Sequence, residues 1–165
     1  MKSTRILGID PGTIALGWGV IDTDGHANNM VEFGVVRTPP KSSLDQRLLM
    51  IFGELKAVID RIRPDMVAVE EVFLGKNPRS ALWIGHARAV ALLAAAERHL
   101  PVAEYAAREV KMSVVGNGSA SKHQVEYMVS TILGAGDSIP QDAADALAVA
   151  LCHASRLYAN TLTQD

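Results

Sequence analysis

Three short apolar segments, separated by only a few polar residues each, occupy the beginning of the chain. They are Arg5–Asp10, Leu16–Asp22 and Val31–Thr38. A Pro-Gly-Thr turn separates the first two, and the polar stretch DTDGHANN separates the second from the third. Successive strands joined by such short connections pair antiparallel, because a parallel pair needs a crossover of a dozen or more residues. The sequence therefore predicts an antiparallel meander of three strands.

Helical and strand-like segments alternate after this meander. A capping-box pattern, Ser43 with Gln46 three residues later, begins a helix that ends at Pro64. The further predicted elements are a strand over Met66–Val72, a helix over Arg79–His99, a strand over Val102–Tyr105, and helices over Ala107–Val115, Ser121–Leu133 and Asp142–Tyr158. A helical crossover between strands implies parallel pairing. We therefore predict an α/β fold with a five-stranded mixed sheet flanked by helices.

Composition is that of a globular protein with a real core. The 165 residues are 48% hydrophobic and 21% charged. The sequence has no apolar run near the ~20 residues of a membrane span, and its N-terminal residues, MKSTRILGID, lack the apolar region of a signal peptide. The single cysteine, Cys152, cannot form an intrachain disulfide and is expected in the core. These features predict a cytoplasmic protein.

The charge of the chain is unevenly distributed. The formal net charge is −2, but the segment from Gly75 to Ser130 carries seven Lys/Arg against four Asp/Glu, a balance of +3. The remaining residues carry nine against fourteen, a balance of −5. A cation bound among these acids would offset part of their charge. Net charge alone leaves the binding partner open.

Two predicted strands end in acidic residues. Asp10 ends the first strand, and Glu70 and Glu71 lie near the end of the fourth. Ligands of α/β proteins usually bind beyond the carboxyl ends of strands, so Asp10 is either a site residue or caps the following turn. Adjacent strand residues point to opposite faces. One of the two glutamates can therefore point into a site, unless the strand ends there and both are solvated.

Asp142 and Asp145 lie at the start of the last predicted helix. Their spacing of three places them on one face, beside alanines that would let the helix pack closely against a sheet. Acids also favour helix N-termini because of the helix dipole, but a second acid on the same face favours a site. Together with Asp10 and Glu70 they form a set of oxygen donors of the kind that Mg²⁺ prefers. We expect two Mg²⁺ ions, with Mn²⁺ able to substitute, since two metal ions together can hold a scissile phosphate.

Four ordered motifs resemble the RuvC family of Holliday-junction resolvases. They are GIDPG followed by GWGVI, AVEEVF with LGKN, SAL and IGHARAV, EYAAREVKMSVVGNGSASKHQV, and DAADALAVAL. The similarity extends from about Ile6 to about Ala154. It implies a single RNase H-like nuclease domain over residues 1–165. It also implies a metal-dependent endonuclease that resolves four-way DNA junctions by paired symmetric nicks with 5′-phosphate products, in recombination and repair.

The resemblance also implies partners and site residues. The partners are a second copy of the chain, in a homodimer, and the RuvA–RuvB branch-migration complex. By position, the catalytic and metal-binding acids are Asp10, Glu70, Asp142 and Asp145, which selects Glu70 over Glu71.

Four further positions correspond to residues that the family uses near DNA: Phe73, Lys76, Lys111 and Lys122. Phe73 could instead be a core residue at a strand end, although the loop that follows favours its exposure. Each lysine taken alone could be an ordinary solvated residue.

Two departures from the family pattern are visible. Ala89 stands where members often have glycine, which indicates a packing change. The chain ends in LYANTLTQD, without the basic tail of some members, so tail-assisted DNA affinity is not expected.

Three other classes of protein are compatible with parts of this pattern. GIDPGT also occurs in actin-like and sugar-kinase ATPases, but these need a second glycine motif for phosphate that the sequence lacks. A non-catalytic nucleic-acid-binding module would be expected to lose some acids, and all four are present. An RNase H-like nuclease with another substrate would share both the fold and the metal chemistry. Of the three alternatives, it is the one against which the sequence offers the least evidence.

Overall fold

The computed structural model describes residues 3–72, 78–135 and 139–162. These residues form five strands and five helices. The strands are β1 (Thr4–Asp10), β2 (Ala15–Thr23), β3 (Asn28–Arg37), β4 (Met66–Glu70) and β5 (Val102–Tyr105). The helices are α1 (Leu44–Ile62), α2 (Pro78–Glu97), α3 (Ala107–Val115), α4 (Lys122–Leu133) and α5 (Gln141–Leu162).

The described strands form one mixed sheet in the order β3-β2-β1-β4-β5. β2 is antiparallel to both β1 and β3, whereas β1 and β4, and β4 and β5, are parallel. The predicted meander and parallel extension are therefore confirmed. Because β1, β3, β4 and β5 run in the same direction, their carboxyl ends lie together at one edge of the sheet, which we call the carboxyl edge.

Helices cover both faces of this sheet. α1 and α2 pack against one face, where Leu7 and Ile9 of β1 are buried. α3, α4 and α5 cover the other face, where Ile6 of β1 and Ala68 of β4 are buried. Alternate strand residues thus enter different cores, as the twofold period of a strand requires. Asp10 and Glu70 follow the alternation of Ile6 and Ala68, so both belong to the α5 face.

Helix α5 approaches the sheet closely because glycines face it. A Cβ atom added to Gly8 would lie 2.1 Å from the carbonyl oxygen of Ala146, and one added to Gly17 would lie 1.8 Å from that of Asp142. No side chain fits in such a space. The expectation that an alanine-rich helix would pack tightly on the sheet is confirmed, and this packing places the acidic end of α5 at the carboxyl edge.

Several predicted element boundaries differ from the observed ones. β3 covers Asn28–Arg37 instead of Val31–Thr38. β4 ends at Glu70 instead of Val72, where its partner β5 also ends, at Tyr105. α5 continues past Tyr158 to Leu162. Ser43 precedes α1, but within the described part of the chain its side chain makes no capping bond and hydrogen-bonds Asp45 instead. Cys152 is fully buried as expected, and none of the described helices is long and apolar enough to cross a membrane.

Candidate active site

Two acids lie side by side at the carboxyl edge. Asp10 ends β1 and Glu70 ends the adjacent parallel strand β4. The residues before them, Ile9 and Val69, are register partners in the sheet. The side-by-side placement of the two carboxylates is therefore a direct consequence of parallel strand pairing.

Helix α5 contributes a third acid to the same place. Asp145 lines a cavity of about 170 Å³ together with Asp10 and Glu70. Lys111 of α3 and Lys122 of α4 also line it. Apolar side chains complete the described walls: Ala107, Val110, Val125 and Ala148. The cavity therefore combines carboxylates from three elements with two lysines in a partly apolar surrounding.

Burial and mutual repulsion change the acidity of the three carboxylates. Burial, followed by repulsion from Glu70 and Asp145, raises the pKa of Asp10 to about 8. Burial also raises the pKa of Glu70 and that of Asp145, although Lys122 opposes both shifts. Burial and repulsion thus disfavour the charged forms of these carboxylates. An added cation would stabilise those charged forms.

Lys122 supplies part of that positive charge. Its Nζ donates a hydrogen bond of 3.2 Å to Oδ2 of Asp145. Burial alone would lower the pKa of Lys122, but attraction to Asp145, Asp10 and Glu70 outweighs burial and raises it. Lys122 is therefore charged while it faces the acids. Lys111 also stabilises the charged form of Glu70.

The fourth predicted acid, Asp142, lies at the margin of this cluster. In the described part of the chain it is outside the cavity, and its Oδ2 lies 3.7 Å from Nη2 of Arg37. It still raises the pKa of Asp10 and that of Asp145 by repulsion. The structure thus brings three predicted acids into one cavity and places the fourth beside it.

The two adjacent glutamates of β4 point to different places. Glu70 lines the acidic cavity, whereas Glu71 is exposed and lines an adjoining groove with Arg108 and Ser119. The groove and the cavity share Ala107 and Lys111. The backbone N–H of Glu71 still donates to the carbonyl of Tyr105, at 2.9 Å. Glu70 is thus the last residue of β4 and enters the cavity, whereas Glu71, the first residue after the strand, stays exposed. Of the other predicted DNA-contacting residues, Phe73 and Lys76 lie outside the described residues.

Sequence reasoning missed Arg37. This residue ends β3 and reaches the margin of the acidic cluster at Asp142. The sequence did contain a signal. In the predicted meander the second strand is antiparallel to both the first and the third, so the third strand ends at the same edge of the sheet as the first. Any charged residue that ends the third strand of the meander was therefore a candidate for the site.

The donor set fits a divalent cation, although its side chains are not arranged as a ready-made cage. Within the residues that the structure describes, no group of three or more His, Cys, Asp or Glu side chains is placed so as to hold a metal ion. The cavity acids nevertheless offer only oxygen donors, which suit Mg²⁺ or a similar hard cation. Burial, together with repulsion between acids, raises the pKa values of these carboxyl groups, and Lys122 offsets that rise only in part.

The sheet order and the carboxylate-lined cavity define the class of this protein as RNase H-like, with an acidic site at the carboxyl edge. Within that class, residues 6–153 match the family described as crossover junction endodeoxyribonuclease RuvC. The chain belongs to the RuvC family, and it is an enzyme of the nuclease class.

Individual relatives support the same assignment. The chain is 50% identical to crossover junction endodeoxyribonuclease RuvC of Chloroflexus aggregans, covering 91% of this chain and 92% of the relative. It is 49% identical to that of Maricaulis maris, covering 97% and 96%. Thermus thermophilus RuvC, solved in complex with a Holliday junction substrate, superimposes with a TM-score of 0.89 at 37% identity, covering 96% of this chain and 97% of that one. Membership of this nuclease family implies dependence on a divalent metal.

Proposed function

We propose that this chain resolves four-way (Holliday) DNA junctions by paired, metal-dependent nicks with 5′-phosphate products. The observation that carries the proposal is the convergence of Asp10, Glu70 and Asp145 in one cavity beside Lys122, in a member of the RuvC family. The structural relative bound to a Holliday junction supports this class of substrate. The work of such an enzyme on genomic DNA would place it in the cytoplasm.

Four carboxylates would hold the metal in this proposal: Asp10, Glu70, Asp142 and Asp145. We favour two Mg²⁺ ions, with Mn²⁺ able to substitute, because hard oxygen donors of this number suit them. When bound, such ions supply positive charge that activates water and stabilises the leaving oxygen of a phosphodiester. The burial that raises the pKa of the acids also limits access of bulk water, which strengthens electrostatic interactions at the scissile phosphate.

Lysines at the cavity would act directly on DNA. Lys122 is charged, is held by Asp145, and keeps 65% of its side chain exposed. It can therefore donate to a phosphate oxygen as negative charge develops there. Lys111 lines the same cavity and would contact the backbone nearby. Phe73 and Lys76 remain proposed DNA contacts on the family resemblance alone.

We further propose a homodimer, which would present two equivalent sites to two like strands of a junction. The exposed face of α2 supports it. Leu82 and Leu93 leave 63% and 59% of their surface exposed, and the exposed Ala89 lies between them at helical spacing. An apolar stripe that the described residues leave exposed suits a second copy of the same helix. The RuvA–RuvB complex is a further proposed partner.

Cleavage of a synthetic mobile four-way junction tests the proposed function. Labelled junction, linear duplex of the same sequence and an RNA–DNA hybrid should be incubated with the protein and Mg²⁺, and again with EDTA. We expect symmetric nicks in the junction only, ending in 5′-phosphate and 3′-hydroxyl groups and absent in EDTA. Equal cutting in EDTA would contradict the metal chemistry, and preferential cutting of the hybrid would indicate an RNase H-like nuclease with another substrate.

A further inference from the structure

The backbone around Arg37 is fixed to the loop that follows Asp10. Arg37 ends β3 and is the register partner of Ala15. The next residue, Thr38, is only 4% exposed. Its N–H donates to the carbonyl of Ile14 at 2.9 Å, and its hydroxyl donates to the carbonyl of Thr13 at 2.6 Å. These bonds hold Arg37 at one defined position on the carboxyl edge.

The side chain of Arg37 is only loosely engaged. Its Nη2 lies 3.7 Å from Oδ2 of Asp142, and 68% of the side chain is exposed. This separation is longer than a hydrogen bond, and ion pairs so exposed contribute little to stability. A firmly anchored backbone thus carries a guanidinium for whose five donors the described residues show no hydrogen-bond acceptor other than the loosely placed Asp142.

Arg37 and Lys122 each pair with a different aspartate of α5. Arg37 of β3 lies beside Asp142, and Lys122 of α4 lies beside Asp145. Lys122 lines the acidic cavity, whereas Arg37 stays outside its described lining, next to Asp142. A cation bound at Asp142 would weaken the attraction that holds Arg37 there. The guanidinium would then be the nearest positive group on the β3 side for a phosphate that enters the site.

We propose that Arg37 contacts the DNA backbone. Its guanidinium would leave Asp142 and bind instead a phosphate of the DNA strand that crosses the carboxyl edge of the sheet. The inference rests on the proposed function, because junction DNA supplies the phosphate. A planar guanidinium can hold two oxygens of one phosphate at once, whereas an ammonium binds as a point charge. Arg37 would therefore fix the register of the DNA strand beside Asp142, outside the cavity that Lys122 lines.

Junction binding without metal tests this inference separately from cleavage. Fluorescence anisotropy in EDTA, over a range of salt concentrations, should compare wild type, Arg37→Ala and Arg61→Ala. Arg61 is the matched control, because it is an exposed arginine paired with Glu32, a residue of the same strand distant from the carboxyl edge. Arg37→Ala should bind several times more weakly, with a log–log salt slope smaller by about 0.9, the loss of one phosphate contact. Arg61→Ala should match wild type.

The same comparison in an Asp142→Asn background separates a DNA contact from an indirect effect. If Arg37 contacts phosphate, Arg37→Ala should weaken binding at least as much in that background, because the competing carboxylate is gone. A loss of the effect there would overturn the inference, since Arg37 would then act only by neutralising Asp142. Unchanged affinity and slope for folded Arg37→Ala in both the wild-type and the Asp142→Asn background, with wild type binding normally, would overturn the inference alone. Failure of wild type to bind junction DNA would overturn the proposed function as well.

Discussion

The ammonium of Lys122 lies 3.2 Å from Oδ2 of Asp145, a carboxylate on a different helix and 23 residues further along the chain. The position of Lys122 is set by the residue before it. The N–H of Ser121 donates to Oε1 of Gln124 at 2.8 Å, and the N–H of Gln124 donates to the Ser121 hydroxyl at 3.3 Å. This capping box fixes the first turn of α4, so the lysine faces the acids from a rigid support.

Lys122→Ala should lower the cleavage rate more than it weakens junction binding. If the ammonium stabilises charge that develops on the attacked phosphate, its loss should cost about a hundredfold in rate. Single-turnover cleavage and gel-shift affinity, measured on the same junction, separate the two effects. A parallel fall of binding and its salt slope would indicate an ordinary backbone contact. A variant normal in both respects would make Lys122 a solvated surface residue.

Leu93→Glu should weaken self-association. A charge in the middle of the apolar stripe on α2 would have to be buried in a dimer that packs α2 against its copy, which is costly. Sedimentation velocity over a range of protein concentrations measures the shift towards monomer. Tyr127→Glu is a suitable control, because Tyr127 is 71% exposed on α4, away from that stripe. A wild type that stays monomeric with and without junction DNA would contradict the homodimer.

The buried pair of Tyr105 and His153 should make stability depend on pH. The hydroxyl of Tyr105 lies 2.6 Å from Nδ1 of His153, and Nε2 of His153 contacts Sδ of Met66. Burial lowers the pKa of His153 below its ordinary value of 6.5. The unfolded chain therefore takes up a proton first as the pH falls, so stability should be lost below about pH 6.5 and be retained above it.

Tyr105→Phe should destabilise the protein by about 1–3 kcal/mol at neutral pH, because it removes the partner of a buried ring nitrogen. Urea unfolding at several pH values measures both effects. Tyr127→Phe removes a hydroxyl from an exposed tyrosine and should leave stability unchanged. Equal stability of Tyr105→Phe and wild type would show that the hydrogen bond contributes nothing net.

Gly17→Ala should destabilise the fold, and Gly53→Ala should not. A Cβ at Gly17 would lie 1.8 Å from the carbonyl oxygen of Asp142, so α5 would have to move, at a cost of about 1–3 kcal/mol for overpacking. Gly53 lies within α1 with nothing within 4 Å of an added Cβ, so alanine should stabilise it by about 0.5–1 kcal/mol. Thermal unfolding compares the two, and equal stability of both variants would contradict the close packing of α5.

The sequence predicted the main elements because their signals are local. Short connections specify the meander, and the alternation of strand residues predicts that Glu70 and Glu71 face different sides. The side-chain arrangement around Asp142 was not predictable, because it depends on the position of α5 along the sheet and on which strand end lies beside it. Arg37 was missed although its place at the end of the third strand was a usable signal. Ser43 is the N-cap of α1, as its pattern predicted, but its side chain makes no capping bond within the described residues.

The assignment of the carboxylates is the central claim, and parallel nicking assays on Asp10→Asn, Glu70→Gln and Glu71→Gln test it most directly. Each substitution is nearly isosteric and replaces an ionisable carboxyl group with a neutral amide, which cannot supply a carboxylate to a cation. The first two change acids that line the cavity, whereas the third changes the exposed neighbour of Glu70. With Mg²⁺ and a four-way junction, we predict that Asp10→Asn and Glu70→Gln bind the junction in EDTA at least as well as wild type but do not cut it. Glu71→Gln should cut almost normally. Retained cleavage by folded Asp10→Asn, or loss of cleavage in Glu71→Gln alone, would contradict the assignment.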